Sequence, residues 1–141
     1  MRRITSHHDG HGRMEQIIVL ATDEPAQAPN SSSHRYEFFY RPSPYQTCVP
    51  GGDPETVQEP DIPLGVIQFQ QGPFDDPTSI RGVLTNAVLA AVMDHLEGFQ
   101  AGPLSSRETT LTITKLQEAI FWNRLRADRR AQRGVLGTME K

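Results

Sequence analysis

The ten residues Phe99-Gln-Ala-Gly-Pro-Leu-Ser-Ser-Arg-Glu108 decide the fold of this 141-residue chain. Gly102 and Pro103 end the amphipathic segment before them, because glycine and proline are poorly tolerated inside a helix. Ser105 and Glu108 have the spacing of a capping box, which opens a second helix. Since the connection is only about five residues long, the two helices are predicted to form an antiparallel hairpin.

Apolar residues recur at helical spacing on both sides of this turn. They are Leu84, Val88, Val92 and Phe99 before it, and Ile113, Leu116, Ile120 and Leu125 after it. The helical period begins near Thr78. Residues 78–141 are therefore predicted to form a helical hairpin domain.

Three earlier segments have the β-branched or alternating pattern of strands. They are Glu15–Thr22, His34–Tyr40 and Leu64–Gln71. The stretch from Arg41 to Pro63 contains six prolines and a Gly-Gly pair, so we predict a long loop there with no regular element. Residues 14–77 are predicted to form a small antiparallel sheet, which makes the fold class α+β.

Residues 1–13 show no periodicity and are predicted to be a mobile arm. His7, His8, Asp9 and His11 have the side chains of metal ligands. Ligands this close together on a terminus rarely form a closed site without distant partners, so no metal site is predicted. A metal-dependent phosphodiesterase that uses these histidines remains an alternative.

The composition indicates a single cytoplasmic domain. A net charge of -3 argues against binding to DNA or RNA, because counterion release needs a larger cationic surface. The chain contains no apolar run of about 18 residues, so no membrane span is predicted, and it does not begin like a signal peptide. The single cysteine, Cys48, fits a reducing compartment. The eleven prolines limit the core, which favours self-association.

The segment Trp122–Arg133 is strongly basic, with five arginines and one aspartate. Arg126 and Arg130 lie four residues apart, as do Arg129 and Arg133, so each pair lies on one helical face and can bind phosphate. Arginines in a last helical turn also offset the helix dipole, and the glycine that follows is a common stop signal. The spacing alone leaves both interpretations open.

The aromatic residues near these elements offer surfaces on which a purine can stack. Phe99 and Trp122 are the two candidates, and stacking contributes about 1 to 3 kcal/mol per base. The alternative role for both rings is packing in the core. We favour core packing for Trp122, and for Phe99 we consider stacking and core packing equally. The sequence has no glycine-rich phosphate loop and no Ser-His-Asp arrangement in motif context, and we interpret His95 as a partly buried polar residue. No catalytic residue and no cofactor are predicted.

The order of these features resembles one family of small phage proteins. It runs from Phe99-Gln-x-Gly-Pro103 through a capped helix with Trp122 to Arg126, Arg130 and Arg133-Gly-Val-x-Gly-Thr138. This order resembles the helical-hairpin family of anti-CBASS and anti-Thoeris sponges, over roughly Gln68 to Thr138. The resemblance implies a non-catalytic homo-oligomer, typically a hexamer, in the cytoplasm of the infected bacterial host. The Thoeris anti-defence type is most similar, since it places a small sheet before the hairpin.

The resemblance also implies which residues bind bacterial immune signals. Phe99 would stack on the base of a cyclic ADP-ribose isomer, and Arg126 and Arg130 would grip its phosphates in a pocket between subunits. Thr109 stands where the family usually has asparagine, which shortens that polar contact. A second pocket, for cyclic di- or trinucleotides, would use Arg133, Gly134, Val135, Gly137 and Thr138.

Two further changes from the family pattern affect this region, and one more class of function stays open. Ala127 replaces a usual threonine, and Leu136 replaces a usual glutamate.

The predicted function is sequestration of cyclic nucleotide signals without cleavage. Besides the phosphodiesterase, a structural or interaction protein whose arginine face docks an acidic partner is an alternative. Arg124 and Arg129 are still interpreted as ordinary arginines near a helix end, where they offset the helix dipole.

Overall fold

A computed structural model describes residues 1–10, 12, 14–23 and 32–134 of the chain. The chain divides into two compact units, Met1–Gln68 and Phe69–Lys141. The first unit contains the strands β1 (Arg2–Ile4), β2 (Ile17–Ala21), β3 (Arg35–Tyr40), β4 (Tyr45–Thr47), β5 (Glu55–Val57) and β6 (Ile62–Gln68). The second contains the helices α1 (Thr85–Gln100) and α2 (Arg107–Gln132). The α+β class predicted from the sequence is confirmed.

The first unit contains a four-stranded antiparallel sheet in the order β1-β2-β3-β6. Its three longer strands fall on the three predicted segments, although the last strand begins at Ile62 and ends at Gln68. The inner strand β2 carries the buried core residues of the described chain, Ile18 (4% exposed) and Ala21 (1%). Ile18 of the β-branched run that predicts this strand is therefore a core residue, whereas Ile17 and Val19 are half-buried.

The fourth strand, β1, lies in the segment predicted to be a mobile arm. Arg2 pairs with Ala21 and Ile4 pairs with Val19. The turn after it is held by His7, whose Nε2 lies 2.8 Å from the carbonyl oxygen of Ile17. A strand of three residues is too short to show an alternating pattern, and its hydrogen bonds come from a partner that the local sequence does not reveal.

The proline-rich stretch after β3 contains a second, two-stranded sheet, where the sequence predicts no regular element. β4 and β5 pair between Tyr45 and Val57, and each strand is short enough to fit between neighbouring prolines. Arg41 and Asp61 join the two ends of this proline-rich stretch. Nε and Nη2 of Arg41 donate to the two carboxylate oxygens of Asp61 at 2.8 and 2.9 Å. The Arg41 hydrogen bond lowers the pKa of Asp61.

The second unit begins with a hydrogen-bonded loop, so α1 starts at Thr85 rather than near Thr78. Gln71 and Ile80 exchange backbone hydrogen bonds of 3.0 Å in both directions across this loop. The carboxylate of Asp76 accepts hydrogen bonds from the amide and the hydroxyl of Thr78. These local bonds occupy backbone groups that a longer helix would need.

The two helices form the antiparallel hairpin that the sequence predicts. Asn86, at the start of α1, donates through Nδ2 to the carbonyl oxygen of Ile120 at 3.3 Å. Asn123 donates through Nδ2 to Oδ1 of Asn86 at 3.0 Å. Because the first turn of α1 lies beside the later half of α2, the C-terminal turns of α2 extend beyond the start of α1. Neither helix has the length and apolar character needed to cross a membrane.

The cap of α2 is Ser106 rather than Ser105, which the capping-box spacing selects. Oγ of Ser106 accepts a hydrogen bond from the amide of Thr109 at 3.1 Å. Ser106 has the extended backbone of an N-cap, with φ -150° and ψ 156°. Two consecutive serines make either register possible, and the helix begins one residue later than the spacing predicts.

Packing within the hairpin buries none of its apolar residues completely. In the described part of the chain, α1 has no buried residue and α2 has one, Arg130. The large apolar residues that remain exposed on the two helices are Val92, Phe99, Leu111, Phe121 and Trp122. A hairpin has one helix-helix interface, so each helix keeps an outer face that the other helix does not cover.

Candidate functional site

The C-terminal turns of α2 line an open cavity of about 400 Å³. Its described lining residues are Trp122, Leu125, Arg126, Arg129, Arg130 and Arg133. These positions are separated by three or four residues, which brings them to one side of the helix. The sequence assigns Arg126 and Arg130 to one phosphate pocket and Arg133 to a second, and in the structure all three side chains line the same cavity.

Arg129 also lines this cavity. From the sequence it was interpreted as an ordinary arginine of the last helical turn, because it lies near the end of the helix. The missed signal is its spacing of three residues from Arg126, which places both on adjacent ridges of one face. Arg130 lines the cavity as a nearly buried side chain (8% exposed), whereas Arg126, Arg129 and Arg133 are exposed. The cavity therefore offers several guanidinium groups, which match phosphate oxygens in geometry and charge.

Trp122 forms the aromatic part of this cavity, where the sequence favours core packing. It is 56% exposed, and its ring meets that of Phe121 edge to face at 5.5 Å between centroids. The hydrophobic pattern of α2 cannot show which apolar residues face α1 and which face outward. An exposed indole beside arginines provides both a stacking surface and phosphate ligands.

The tip of the hairpin carries the other predicted binding residues, Phe99 and Thr109. Phe99 is 40% exposed and packs edge to face with His95, with 4.9 Å between ring centroids. Thr109 is half-buried, and its Oγ1 accepts a hydrogen bond of 2.9 Å from Oγ of Ser106. The aromatic ring therefore remains available to a ligand, and the hydroxyl beside the cap has a fixed partner.

The tip and the arginine cavity lie at opposite ends of α2. Thr109 and Arg126 are separated by 17 residues, which corresponds to about 25 Å along the helix axis at 1.5 Å per residue. A single copy of the chain therefore does not bring Phe99 and Thr109 together with Arg126 and Arg130. Any pocket that uses both sets needs more than one copy.

Gly134 ends α2, as one of the two interpretations of the basic segment expects. Its φ is +72°, in the left-handed region that favours glycine, and its amide donates to the carbonyl oxygen of Ala131 at 3.0 Å. The remaining residues predicted for a second pocket, Val135, Gly137 and Thr138, lie outside the described residues.

Comparison with known proteins identifies the hairpin. Residues 62–126 match the family model of the Acb2/Tad1 hairpin domain. Thoeris anti-defense 1 of Bacillus phage SBSphiJ7 is 38% identical over 93 residues, which are 64% of this chain and 65% of the relative. The hairpin region of this chain is therefore similar to the Acb2/Tad1 hairpin domain. The match spans less than two thirds of the relative's length.

The limits of the Acb2/Tad1 match divide the candidate residues into two groups. Phe99, Thr109 and Arg126 lie within the matched region, and Arg126 is its last residue. Arg130, Arg133 and Gly134 lie beyond it. The match begins at Ile62, so it includes β6 with the hairpin and leaves out the other strands of the sheet.

The described residues of the chain include no group of three or more His, Cys, Asp or Glu side chains placed to hold a metal ion. His7 contacts Ile17 through Nε2 and meets the ring of His8 edge to face at 4.6 Å. His11, the remaining histidine of the predicted alternative, lies outside the described residues.

Proposed function

We propose that this protein helps a phage evade bacterial defence by binding a cyclic nucleotide immune signal and sequestering it without cleavage. The ligand class is a cyclic ADP-ribose isomer, with cyclic di- or trinucleotides as further ligands. The observation that carries the proposal is the cavity beside Trp122, where Arg126 and Arg129 are exposed on one face of α2. Similarity to the Acb2/Tad1 hairpin domain and to a Thoeris anti-defense protein supports it.

The chemistry of the cavity suits binding. Guanidinium groups make charge-assisted, often bidentate hydrogen bonds to phosphate oxygens, and an exposed aromatic face stacks on a base. Neither interaction needs an activated nucleophile. Sequestration must be tight compared with the signalling concentration, so we expect nanomolar affinity, which corresponds to roughly -12 kcal/mol.

The active form is proposed to be a homo-oligomer, a hexamer in this family. The outer faces of α1 and α2 expose Val92, Leu111 and Phe121, which a second copy can cover. Antiparallel packing of two hairpins would also bring Phe99 of one copy close to Arg126 of its partner. Assembly would therefore complete a pocket that the 25 Å separation leaves incomplete in one copy, at about 1.5 Å per residue.

A thermal-shift screen tests the binding proposal. Cyclic ADP-ribose isomers and cyclic di- and trinucleotides are added separately to the purified protein, and a bound ligand raises the melting temperature by mass action. The complex is then heated, and the released ligand is analysed by mass spectrometry. We expect the ligand to return intact.

Two outcomes separate the alternatives. Recovery of a hydrolysed ligand that depends on added divalent metal and on residues 1–13 would indicate the phosphodiesterase. No shift with any of these ligands, together with no heat of binding in calorimetry, would favour a protein whose arginine face docks an acidic partner.

A further inference from the structure

Two carboxamide side chains join α1 to α2 at the end of the hairpin opposite the turn. Nδ2 of Asn86 donates to the carbonyl oxygen of Ile120 at 3.3 Å, and Nδ2 of Asn123 donates to Oδ1 of Asn86 at 3.0 Å. A backbone carbonyl oxygen only accepts hydrogen bonds, so it must face the amide nitrogen of Asn86. The oxygen of Asn86 then faces Asn123, which must donate through its own nitrogen. This asparagine clasp, Asn86 with Asn123, therefore has one orientation.

The asparagine clasp closes a seam of half-buried residues between the two helices. The seam residues of α1 are spaced alternately by three and four positions, and they are Asn86, Leu89, Met93, Leu96 and Gln100. The same spacing on α2 gives the half-buried residues Ile113, Leu116 and Ile120, followed by the exposed Asn123. Residues at this spacing share one helical face, as in the seam of a coiled coil. Asn123 thus stands where the repeat would place another apolar residue.

Polar groups in such a seam restrict how the two helices pack. Apolar burial is not directional, so a short apolar seam leaves the helices free to rotate or slide by small amounts. A hydrogen bond forms only when particular atoms meet at about 3 Å. A single asparagine in an apolar seam fixes the register of paired helices at a cost in stability. The asparagine clasp is therefore expected to fix the rotation of α2 about its own axis at Asn123.

The asparagine clasp lies within one helical turn of the arginine cavity. Trp122 precedes Asn123 directly, and Arg126 follows it by three residues. Since Trp122 and Arg126 lie on the same side of α2, a rotation of the helix moves both side chains together. The helix continues without a break from Asn123 to Gln132, so a rotation set at the clasp is passed on to the later arginines.

We propose that Asn86 is a positioning residue for ligand binding. Its two bonds to α2 hold the rotation at which Trp122 and Arg126 face the ligand, although Asn86 does not line the cavity itself. The inference rests on the proposed function and names the contact between the helices that sets the geometry of the arginine cavity.

The double variant Asn86→Leu with Asn123→Leu tests this role because it replaces the asparagine clasp with an apolar pair of similar size. Replacing both partners leaves neither amide without a bond, so the melting temperature should stay the same or rise. The affinity for a cyclic ADP-ribose isomer, measured by calorimetry, should nevertheless fall about tenfold, the equivalent of one charged hydrogen bond. A contact that only stabilises the fold would not lower affinity while stability is kept.

Trp122 reports the rotation of α2 directly, because it is the only tryptophan of the chain. Its side chain is 56% exposed, and acrylamide quenching of its fluorescence measures that exposure. In the double variant α2 is free to turn this apolar ring toward the seam, so quenching should decrease and the emission should shift to shorter wavelength. Size-exclusion chromatography checks that the oligomeric state is the same in each variant.

Two further variants separate the clasp from a general effect of the substitutions. Gln117→Leu removes an exposed amide of α2 that makes no hydrogen bond to α1 in the described chain, and it should leave quenching and affinity unchanged. Asn86→Asp keeps an oxygen for Asn123 but loses the donor to Ile120. A carboxylate is favourable in the first turn of a helix, so this variant should fold and should show a smaller decrease in quenching.

The outcomes separate the clasp from the proposed function. Unchanged quenching or unchanged affinity in the double variant would overturn the positioning role while leaving sequestration intact. Unchanged quenching in Asn86→Asp would overturn it as well, which covers a double variant that does not fold. Failure of the unmodified protein to bind any cyclic nucleotide would overturn the proposed function, and the quenching comparison would still decide whether the clasp sets the rotation of Trp122. Decreased quenching together with the loss of affinity supports the positioning role.

Discussion

The separation of the hairpin tip from the arginine cavity predicts that two copies of the chain share each ligand pocket. Phe99→Ala removes the aromatic side of the pocket, and Arg126→Ala removes a phosphate ligand from the other side. Each variant alone should bind poorly. Mixed in one oligomer, the two variants should restore some complete pockets, because each copy retains the residue that its partner has lost.

The expected recovery follows from the geometry. Phe99 adjoins the start of α2, and Arg126 lies about 25 Å further along that helix at 1.5 Å per residue, so the two side chains must come from different copies to contact one ligand. When equal amounts of the two variants assemble at random around a two-fold axis, about a quarter of the pockets receive both native residues. A pocket built within one copy would receive none.

Calorimetric stoichiometry measures this fraction directly. The variants are mixed in denaturant, refolded together and titrated with a cyclic ADP-ribose isomer. The control mixes unmodified chains with chains that carry both substitutions. It should give about a quarter of the native sites if the pocket is shared and about half if each copy builds its own. The shared pocket would be refuted if the control showed about half of the native number of high-affinity sites and the mixture of Phe99→Ala with Arg126→Ala showed none.

Three other predictions concern separate parts of the chain. Arg126→Ala should weaken ligand binding about 10- to 150-fold, because it removes a charged hydrogen bond worth about 1.5 to 3 kcal/mol. The control is Arg124→Ala, which should bind normally because the exposed Arg124 does not line the cavity. Equal losses of affinity in the two variants, measured by calorimetry, would contradict the cavity assignment. The hydrogen bond from Arg41 lowers the pKa of Asp61 in the folded chain, so the stability that this pair adds is complete above the ordinary carboxyl pKa and is lost as the pH falls through the lowered value. The melting temperature of Asp61→Asn should therefore depend less on acid pH than that of the unmodified protein. An unchanged pH profile would argue against a stabilising Arg41–Asp61 pair. Deleting residues 1–13 should lower the melting temperature, because β1 covers one edge of β2, but should leave ligand affinity unchanged.

The parts of the fold that were predictable from sequence are those with a repeating pattern. The β-branched run of β2 and the helical spacing of α1 each persist over several residues. β1, β4 and β5 have three residues each, which is too short for a period, and each depends on a partner strand for its hydrogen bonds. The N-cap of α2 is Ser106, the one of two adjacent serines whose amide donates to the Gln100 side chain, and the capping-box spacing alone does not identify it.

The candidate site was predictable where spacing along one helix decides it. Arg126 and Arg130 share a face because they are four residues apart, whatever surrounds them. Trp122 was not predictable in this way, because an apolar residue of an amphipathic helix can face either α1 or a further partner. Arg129 was missed because its position near the helix end offered an ordinary explanation for its charge.

The exposed apolar faces connect assembly to ligand binding. In the described chain no apolar residue of the two helices is fully buried, and Trp122 lies both in the arginine cavity and beside the exposed ring of Phe121. A partner copy that covers Phe121 would therefore also reshape the wall that Trp122 forms. A ligand that binds only the assembled form stabilises that form by mass action, so assembly and affinity should rise together. Substitutions on the apolar face should then weaken both properties, whereas substitution of Arg126 should weaken binding and leave the oligomer intact.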